Sequence, residues 1–410
     1  MDHKRKILVL LMLAGGLLPA IFSSHFLPVS YLADASTIHA IITHTSQLVP
    51  DSSFQHTADY YLLLGIGAHP VAVSIANYVL YAIVIFMAIA QVGRMSLTTT
   101  GIAAFSALLA TVYLAQYSKD AIVLYISLMV LLTRAWKRAD IALVAMMLTY
   151  AYLFRHYWYL VAALYVMYRW YLPRKKSSLH IVSALTLALF MLVILFHYHL
   201  HYPIEHYRTT VNSIRASGSV TVNSLIRTPH FGESVPGQMA TAGVSLVFLL
   251  IPLPLAALGG IQYAVFALGI GALWVLVLRA LRRLLDDDGR TYPVVALRCG
   301  IMALSLVTVQ CLFEPDYGSY VRHLSPLVPL MLVAIGAARG RARPHKVGGA
   351  TRSGRLAAHG GIGGSTTGRL NQVKAEDSTV AYSPGSSSDM SWIGNLKEVW
   401  DQESAISSNR

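Results

Sequence analysis

The feature that most constrains this chain is a succession of long apolar runs, separated by short breaks that carry most of its charges and continuing as far as Ala338. A helix that spans a bilayer needs about 20 mainly apolar residues. Only 12% of the 410 residues are charged, whereas soluble domains carry about 25%. A water-soluble globule of this size is therefore excluded. We expect an all-α, polytopic integral membrane protein.

Ten of the apolar runs are candidate transmembrane helices, and we take ten to twelve as the range. The ten runs cover residues 7–22, 71–92, 100–116, 121–133, 141–154, 158–171, 179–196, 261–278, 294–313 and 324–338. With the N-terminus inside and alternating sides, sixteen Lys and Arg residues face the cytoplasm and six face outward; the other ten of the 32 lie in the C-terminal tail. This asymmetry satisfies the positive-inside rule. The net charge of +13 is therefore mostly a topology signal, and no nucleic-acid partner is needed to explain it.

One apolar stretch, residues 241–260, does not fit this alternation. Counting it as a full crossing would place Arg282 and Arg283 outside, and Pro252 and Pro254 would break a helix there. We expect a re-entrant or interfacial segment on the external side, shielded by protein or by a wet cavity.

The chain divides into a spanning domain and a tail. Residues 1–338 form the polytopic domain, with external loops at 25–70 and 197–243. Residues 339–410 are basic and rich in Gly and Ser, a composition typical of a disordered segment, which this topology places in the cytoplasm. Its glycine run lacks the Gly-Lys-Ser/Thr of a phosphate loop, so we expect no nucleotide site there.

Arg155 and His156 stand at the tip of a predicted helical hairpin, residues 141–171. Its arms of about 14–16 residues are roughly 21–24 Å long, which is shorter than the hydrocarbon core of about 30 Å. The tip is therefore expected below the outer membrane surface, where a guanidinium suits phosphate. The alternative is an interfacial anchor, in which Arg155 snorkels to the surface.

The segment between the last two runs holds the densest group of ionisable residues. It contains Glu314, Asp316, Arg322 and His323, and Tyr320 belongs to the same candidate substrate-binding segment. Carboxylates beside imidazole and guanidinium can combine acid–base chemistry with anion binding. The alternative is a salt-bridged turn that only orders the loop.

Two further external positions precede these. Lys119 can bind phosphate as a point charge, and Asp120 beside it is either a helix cap or a functional carboxylate. Asp34 lies nearest the end of the first run and could act as the base for an acceptor hydroxyl. A solvated loop acid is the alternative for Asp34.

The long external segment, residues 201–240, adds Arg208 and Arg215 among Tyr and His rings. The rings would stack on sugars while one of these arginines holds phosphate, or the segment is an aromatic belt at the interface. The histidines of the chain lack metal-ligand spacing, so we expect no metal site.

Several of these residues, taken in order, resemble a known family. The motifs are Tyr117-Ser-Lys-Asp120, Arg155-His156, Ile251-Pro-Leu-Pro254 and Glu314-Pro-Asp-Tyr-Gly-Ser-Tyr-Val-Arg-His323. Over about residues 1–338 the chain resembles bacterial exopolysaccharide and O-antigen repeat-unit polymerases, the Wzy-like membrane glycosyltransferases. The tail is not part of this resemblance.

The resemblance implies transfer of a growing glycan from undecaprenyl pyrophosphate to the next lipid-linked repeat, on the external face of the inner membrane. It implies no cofactor, no metal, and a chain-length regulator and a flippase as partners. A pyrophosphate leaving group needs cations, which Arg155 and Arg322, with Lys119 or Arg208, would supply. The acceptor hydroxyl needs a base, and His323, Asp34 and Asp120 are the candidates.

Two rival functions use the same residues. A flippase or transporter of lipid-linked sugar predicts charges along a path from both sides and often internal repeats, and no clear repeat is present in the sequence. Another external lipid-linked glycosyltransferase, ligase or acyltransferase would share the site, and substrate assays would separate it from a polymerase.

Overall fold

The computed structural model describes residues 3–45, 52–92, 95–133, 138–174, 179–217, 224–258, 260–286 and 294–339. Within these ranges the chain is helical apart from turns, connections and one isolated β-bridge between Leu225 and Asp316. The expected all-α class is confirmed. The predicted tail lies outside the described residues from position 340 onward.

Seventeen α-helices occur within the described ranges. In the first half they are α1 (His3–Ile21), α2 (Ser23–Phe26), α3 (Val29–Ile42), α4 (Ser52–Leu63), α5 (Pro70–Gln91), α6 (Leu97–Leu109), α7 (Lys119–Leu132), α8 (Ala139–Leu153) and α9 (Trp158–Tyr171). In the second half they are α10 (Leu179–Ile194), α11 (His206–Ser217), α12 (Val235–Leu250), α13 (Leu253–Ala256), α14 (Ile261–Asp286), α15 (Val294–Phe313), α16 (Tyr317–Leu324) and α17 (Val328–Arg339). Two of them continue in wider π-helical turns, α6 through Ala110–Leu114 and α10 through Leu195–Leu200.

Six helical stretches of the described chain are long and apolar enough to cross a membrane. They are Pro70–Gln91, Leu97–Leu114, Leu179–Leu200, Tyr263–Asp286, Val294–Phe313 and Tyr317–Arg339. Three shorter apolar helices accompany them: Ile7–Ile21, Ala139–Leu153 and Val235–Leu250. These helices are those of a multi-pass membrane protein, whereas the count of ten crossings stays a prediction.

The last two long stretches form the centre of the bundle. The most apolar windows of Val294–Phe313 and Tyr317–Arg339 are 89% buried, against 39–50% in the other four stretches. The outer helices keep large apolar side chains such as Val79, Phe86 and Phe190 exposed. A helix that is apolar all round belongs at the centre, and one with an exposed apolar face belongs against lipid.

Two glycines allow helices to approach closely in this centre. A Cβ at Gly300 of α15 would lie 2.5 Å from Leu281 of α14, and one at Gly336 of α17 would lie 2.5 Å from Val92. Small residues at such crossings maximise van der Waals packing, which drives helix association in membranes.

The stretch 241–260 is divided in the structure. Helix α12 ends at Leu250, and the short α13 begins after Pro252. Proline cannot donate the hydrogen bond that would continue the helix, so the expected break is present. Its placement as a re-entrant segment stays a prediction.

Candidate functional site

Charged side chains from segments far apart in the sequence meet at one end of the helix bundle. They come from α3, the start of α7, the turn between α8 and α9, the turn between α15 and α16, and α16 itself. We call this group the Asp120 cluster; it consists of Asp34, Lys119, Asp120, Arg155, Glu314, Arg322 and His323. All seven residues were candidates from the sequence, and their convergence is the main structural finding.

Asp120 lies at the centre of the cluster, with 3% of its side chain exposed. The hydroxyl of Ser118 caps α7 by accepting a hydrogen bond from the Asp120 backbone N–H at 3.1 Å, as N-cap serines do. One carboxylate oxygen lies 3.4 Å from Nη2 of Arg155 and 3.5 Å from Nε of Arg322. The other lies 3.7 Å from Nε2 of His323. Asp120 is therefore the shared counter-ion of three basic groups.

Arg155 is positioned by a tight turn after α8. Its backbone N–H donates to the carbonyl of Tyr150 at 3.3 Å, and its own carbonyl accepts from Trp158 at 2.9 Å. The hydroxyl of Tyr150 donates to the carbonyl of Lys119 at 3.2 Å, which ties this turn to the start of α7. Burial lowers the pKa of Arg155, but the surrounding groups, of which the carboxylate of Asp120 acts most strongly, together hold the pKa well above the ordinary value. The guanidinium therefore stays charged.

Arg322 and Asp34 form the more open side of the cluster. Nη1 of Arg322 lies 2.9 Å from Oδ2 of Asp34, and their side chains are 24% and 31% exposed. Partial burial raises the pKa of Asp34, but the charges of Arg322, Lys119 and Arg155 lower it, and the result is a pKa below the ordinary value. Asp34 is therefore an ionised counter-ion of Arg322 at neutral pH.

Glu314 and His323 form a buried pair on the deeper side. Oε1 of Glu314 contacts Nδ1 of His323 and also accepts from Nε2 of Gln310 at 3.3 Å. An ionised carboxylate can only accept hydrogen bonds, so beside an ionised Glu314 the Nδ1 atom of the ring carries a proton. The other ring nitrogen, Nε2, faces Asp120. Orientation of an imidazole by a carboxylate is how many enzymes prepare a general base.

The turn that carries Glu314 is fixed from two directions. Oδ1 of Asp316 accepts from the backbone N–H of Ser319 at 2.8 Å and so caps α16. The external segment pairs with the turn, since Ile226 N–H donates to the carbonyl of Pro315 at 2.8 Å. Asp316, a predicted substrate-binding residue, thus has a structural role as a helix cap.

Lys119 is held by α4. Its Nζ lies 2.6 Å from the hydroxyl of Ser53 and 3.5 Å from the ring centroid of Phe54, a cation–π arrangement. Its charge also acts on Asp34 and Asp120. The segment that the sequence analysis assigned to the first external loop therefore contributes directly to the cluster, through α3 and α4.

Four buried polar atoms of the cluster make no hydrogen bond within the part of the chain that the structure describes. They are Nε of Arg155, Nε of Arg322, Nε2 of His323 and Oε2 of Glu314. Buried polar atoms are otherwise nearly always paired, because leaving one unpaired costs about 1–3 kcal/mol. The two guanidinium N–H groups suit an anion, and the imidazole nitrogen suits a hydroxyl. The cluster thus has the capacity to bind both reactants of a transfer from a phosphate carrier to a hydroxyl.

The remaining predicted site residues have other surroundings. Arg208 is 3% exposed and donates to the hydroxyl of Ser245, the carbonyl of Cys311 and the hydroxyl of Thr228 at 2.7–3.1 Å. These contacts make it a brace between α11, α12 and α15, and its expected role in holding phosphate stays a prediction. The side chain of Arg215 lies outside the described residues.

The substrate-binding roles expected of Tyr320 and His156 also stay predictions. Tyr320 is completely buried and accepts a hydrogen bond from Nε1 of Trp274 at 2.5 Å, so it packs α16 against α14 and does not offer a surface to a substrate. The ring of His156 lies half-buried beside that of Tyr159, next to Arg155 on the same turn.

Sequence reasoning missed three residues that support the cluster: Gln310, Ser53 and Phe54. Gln310 lies one helical turn before Glu314 within an apolar run, and a buried polar residue in such a run is a functional signal. Ser53 and Phe54 left no such signal, because a polar loop contains many similar residues.

A second charged group, in which Arg298 is buried and Asp140 is partly exposed, lies at the opposite end of the same helices. We call it the Asp140 cluster. Asp140 accepts from Nε of Arg298 at 2.8 Å, from the hydroxyl of Tyr165 at 2.6 Å and from Nε of Arg169 at 3.3 Å. Nη1 of Arg298 donates to the carbonyl of Thr133 at 3.0 Å. From the sequence, Arg169 and Arg298 served only as orientation charges, yet Arg298 is buried.

Among the described residues, no three His, Cys, Asp or Glu side chains are grouped as a metal ion would require. No protein-family model, curated protein or solved structure matches the chain.

Proposed function

We propose that this chain polymerises lipid-linked oligosaccharide repeat units into exopolysaccharide or O-antigen. The donor is a glycan on undecaprenyl pyrophosphate, and the reaction takes place on the external face of the bacterial inner membrane, with the N-terminus and the tail in the cytoplasm. The observation that supports this is one cluster in which two guanidiniums each have a buried Nε atom without a hydrogen bond among the described residues, beside an imidazole held by a carboxylate.

Arg155 and Arg322 are proposed to hold the donor pyrophosphate. Their Nε atoms are buried and lack hydrogen bonds among the described residues. Nη2 of Arg155 and Nε of Arg322 lie 3.4 Å and 3.5 Å from the same oxygen of Asp120. Fixed cations in a site shielded from water stabilise the charge that develops on a departing phosphate more strongly than they could in solution. Lys119 adds a third positive charge close by.

His323 is proposed as the general base for the acceptor sugar. The acceptor hydroxyl oxygen forms a bond to the anomeric carbon of the donor while the bond from that carbon to the pyrophosphate oxygen breaks. The electron pair of the broken bond leaves with undecaprenyl pyrophosphate, and the hydroxyl proton moves to Nε2 of His323. Glu314 stabilises the resulting imidazolium through Nδ1.

The two rival functions differ in what they require elsewhere in the molecule. A flippase needs polar groups along a route between the two ends of the bundle. The Asp140 cluster at the other end is closed by its own hydrogen bonds, which does not favour a route there. Another lipid-linked glycosyltransferase or an acyltransferase would use the same cluster. Only the product of the reaction distinguishes these two enzymes from a polymerase.

Deletion of the chain followed by glycan analysis tests the function. A polymerase mutant accumulates single repeat units at the cell surface and loses long polymer. Persistence of long chains would contradict the proposal. Retention of lipid-linked units inside the cell would identify a flippase, and normal repeats joined to a different final acceptor would identify another transferase.

Complementation with point variants tests the site. Arg155→Ala and Arg322→Ala should each reduce polymer about 100-fold or more, the usual effect of removing a group that stabilises a developing anion. Arg282→Ala is the matched control, because Arg282 is 63% exposed and its ion pair with Asp286 is long, at 3.8 Å. Wild-type polymer from both cluster variants, at normal protein level, would reject the pyrophosphate clamp.

A further inference from the structure

The Asp120 cluster is close to electrically neutral before any ligand binds. It contains three permanent cations, Lys119, Arg155 and Arg322, and three carboxylates, Asp34, Asp120 and Glu314. A site for a pyrophosphate, which carries several negative charges, is expected to hold an excess of positive charge. One of the carboxylates must therefore give up its cation when the donor binds.

Two of the three carboxylates are poorly placed to leave. Asp120 is 3% exposed and faces three basic groups at once. Glu314 is also 3% exposed and is held by His323 and Gln310. Moving either would leave a buried cation or imidazole without its partner, which is strongly unfavourable.

Asp34 differs in each of these respects. Its side chain is 31% exposed, and its ion pair is a single contact of 2.9 Å to Nη1 of Arg322. It lies on α3, a helix that belongs to the external loop and is separate from the long bundle helices. Arg322 is itself 24% exposed, so a ligand that approaches from the open side meets the pair of Arg322 and Asp34 first.

We propose that Asp34 is an intramolecular competitor that occupies, on Arg322, the position of a phosphate oxygen of the donor. This inference rests on the proposed function and deepens it, since Asp34 thereby determines which phosphate-bearing lipids bind. A pyrophosphate displaces Asp34, whereas a singly charged phosphodiester headgroup does not.

The physical reason is competition at fixed proximity. Bacterial and other membranes are rich in anionic lipids that are attracted to exposed Lys and Arg residues. A tethered carboxylate competes at a high effective concentration because it never diffuses away. A headgroup with one charge offers Arg322 little more than Asp34 already does. A pyrophosphate carries more charge and can engage Arg322 and Arg155 together. Specificity is a difference between two affinities. Here Asp34 produces that difference by lowering the affinity for singly charged headgroups.

The test uses the full chain, purified in detergent, with farnesyl pyrophosphate and inorganic pyrophosphate as probes. The variants are Asp34→Asn and Asp34→Ser, so that the result does not depend on how one side chain is accommodated. Asp59→Asn is the matched control, because Asp59 is an exposed carboxylate of the same external loop that accepts only from Gln55 within the described chain. Short-chain phosphatidylglycerol is the singly charged competitor.

Both Asp34 variants should bind both probes about 10-fold more tightly than the wild-type chain, with Asp59→Asn within about twofold of wild type. Excess phosphatidylglycerol should weaken probe binding to the Asp34 variants at least fivefold and leave the wild-type chain unaffected. Unchanged affinity in the Asp34 variants, equal competition in all chains, or a gain limited to the prenyl probe would each overturn the proposal. The assay contains no acceptor sugar, so its failure is distinct from failure of the polymer assay, which bears on the proposed function alone.

Discussion

The Asp120 cluster and the Asp140 cluster lie at opposite ends of the same four helices, α7, α8, α9 and α15, yet they differ in how completely their hydrogen bonds are made. In the Asp140 cluster, the described residues leave no buried side-chain nitrogen or oxygen without a hydrogen bond. In the Asp120 cluster, four buried atoms make none. Both groups combine arginine with aspartate, so residue type alone does not distinguish them.

The difference bears on what each group of charges can do. A buried charge stabilises a protein only if its donors and acceptors are satisfied. The buried Arg298 of the Asp140 cluster meets this condition and joins the helix ends. The Asp120 cluster does not meet it, and under the proposed function a bound ligand would recover the free energy that its atoms without hydrogen bonds cost.

The largest functional difference between the two clusters is expected when the imidazole of His323 is removed. His323→Ala should lower polymer synthesis per molecule of inserted protein by about 100- to 10,000-fold, the usual contribution of a general base. Glycan chain length in complemented cells is the measurement. His230→Ala is the control, because His230 is 52% exposed and pairs with Glu205. Polymer close to the wild-type amount from the His323 variant would remove the distinction between the clusters.

At Arg298 we expect a loss of stability and no loss of polymer synthesis. Arg298→Ala leaves Asp140 without its shortest guanidinium contact, of 2.8 Å, and should destabilise the protein by about 3 kcal/mol. Thermal unfolding in detergent measures this loss. Polymer synthesis per folded molecule should stay unchanged, and a selective loss of activity would show that the Asp140 cluster is also functional. Arg169→Ala, at a more exposed and longer contact of 3.3 Å, should cost clearly less.

The smallest loss of stability is expected when the hydroxyl of Tyr165 is removed. Tyr165→Phe removes the 2.6 Å hydrogen bond to Asp140 and should lower the free energy of unfolding by about 1 kcal/mol. The same thermal measurement applies. Tyr171→Phe is the comparison, since its hydroxyl pairs with the neutral Ser183 at 3.1 Å. A larger loss from the Tyr171 variant would contradict the view that Asp140 is a stabilising centre.

The sequence predicted the residues of the Asp120 cluster better than it predicted their arrangement. Charges at the ends of apolar runs are conspicuous because they are costly at membrane depth, which is why Asp120, Arg155 and Arg322 were found. Which run ends meet depends on how the helices pack, and a single sequence does not record that. Arg208 shows the consequence, because its external position resembled a phosphate site until its three hydrogen-bond partners were seen.

The fold shows the same division between local and non-local information. Apolar runs predicted the all-α class, and Pro252 predicted the end of α12, because both depend on local chemistry. The contact between Arg298 and Asp140 was not predicted, because the two residues are 158 positions apart in the sequence. Of the ten predicted crossings, six correspond to helices of full spanning length within the described ranges.

The ion pair between Asp34 and Arg322 joins the beginning of the spanning domain to its end, and this has a consequence for biosynthesis. Chains emerge from the ribosome N-terminus first, so α3 is made early, whereas α16 and α17 follow after most of the other helices. A nascent or prematurely terminated chain therefore carries Asp34, Lys119, Asp120 and Arg155 but lacks both Arg322 and His323. The Asp120 cluster is therefore complete only when translation has passed α16. Under the proposed function, a chain that terminates early could not consume lipid carrier.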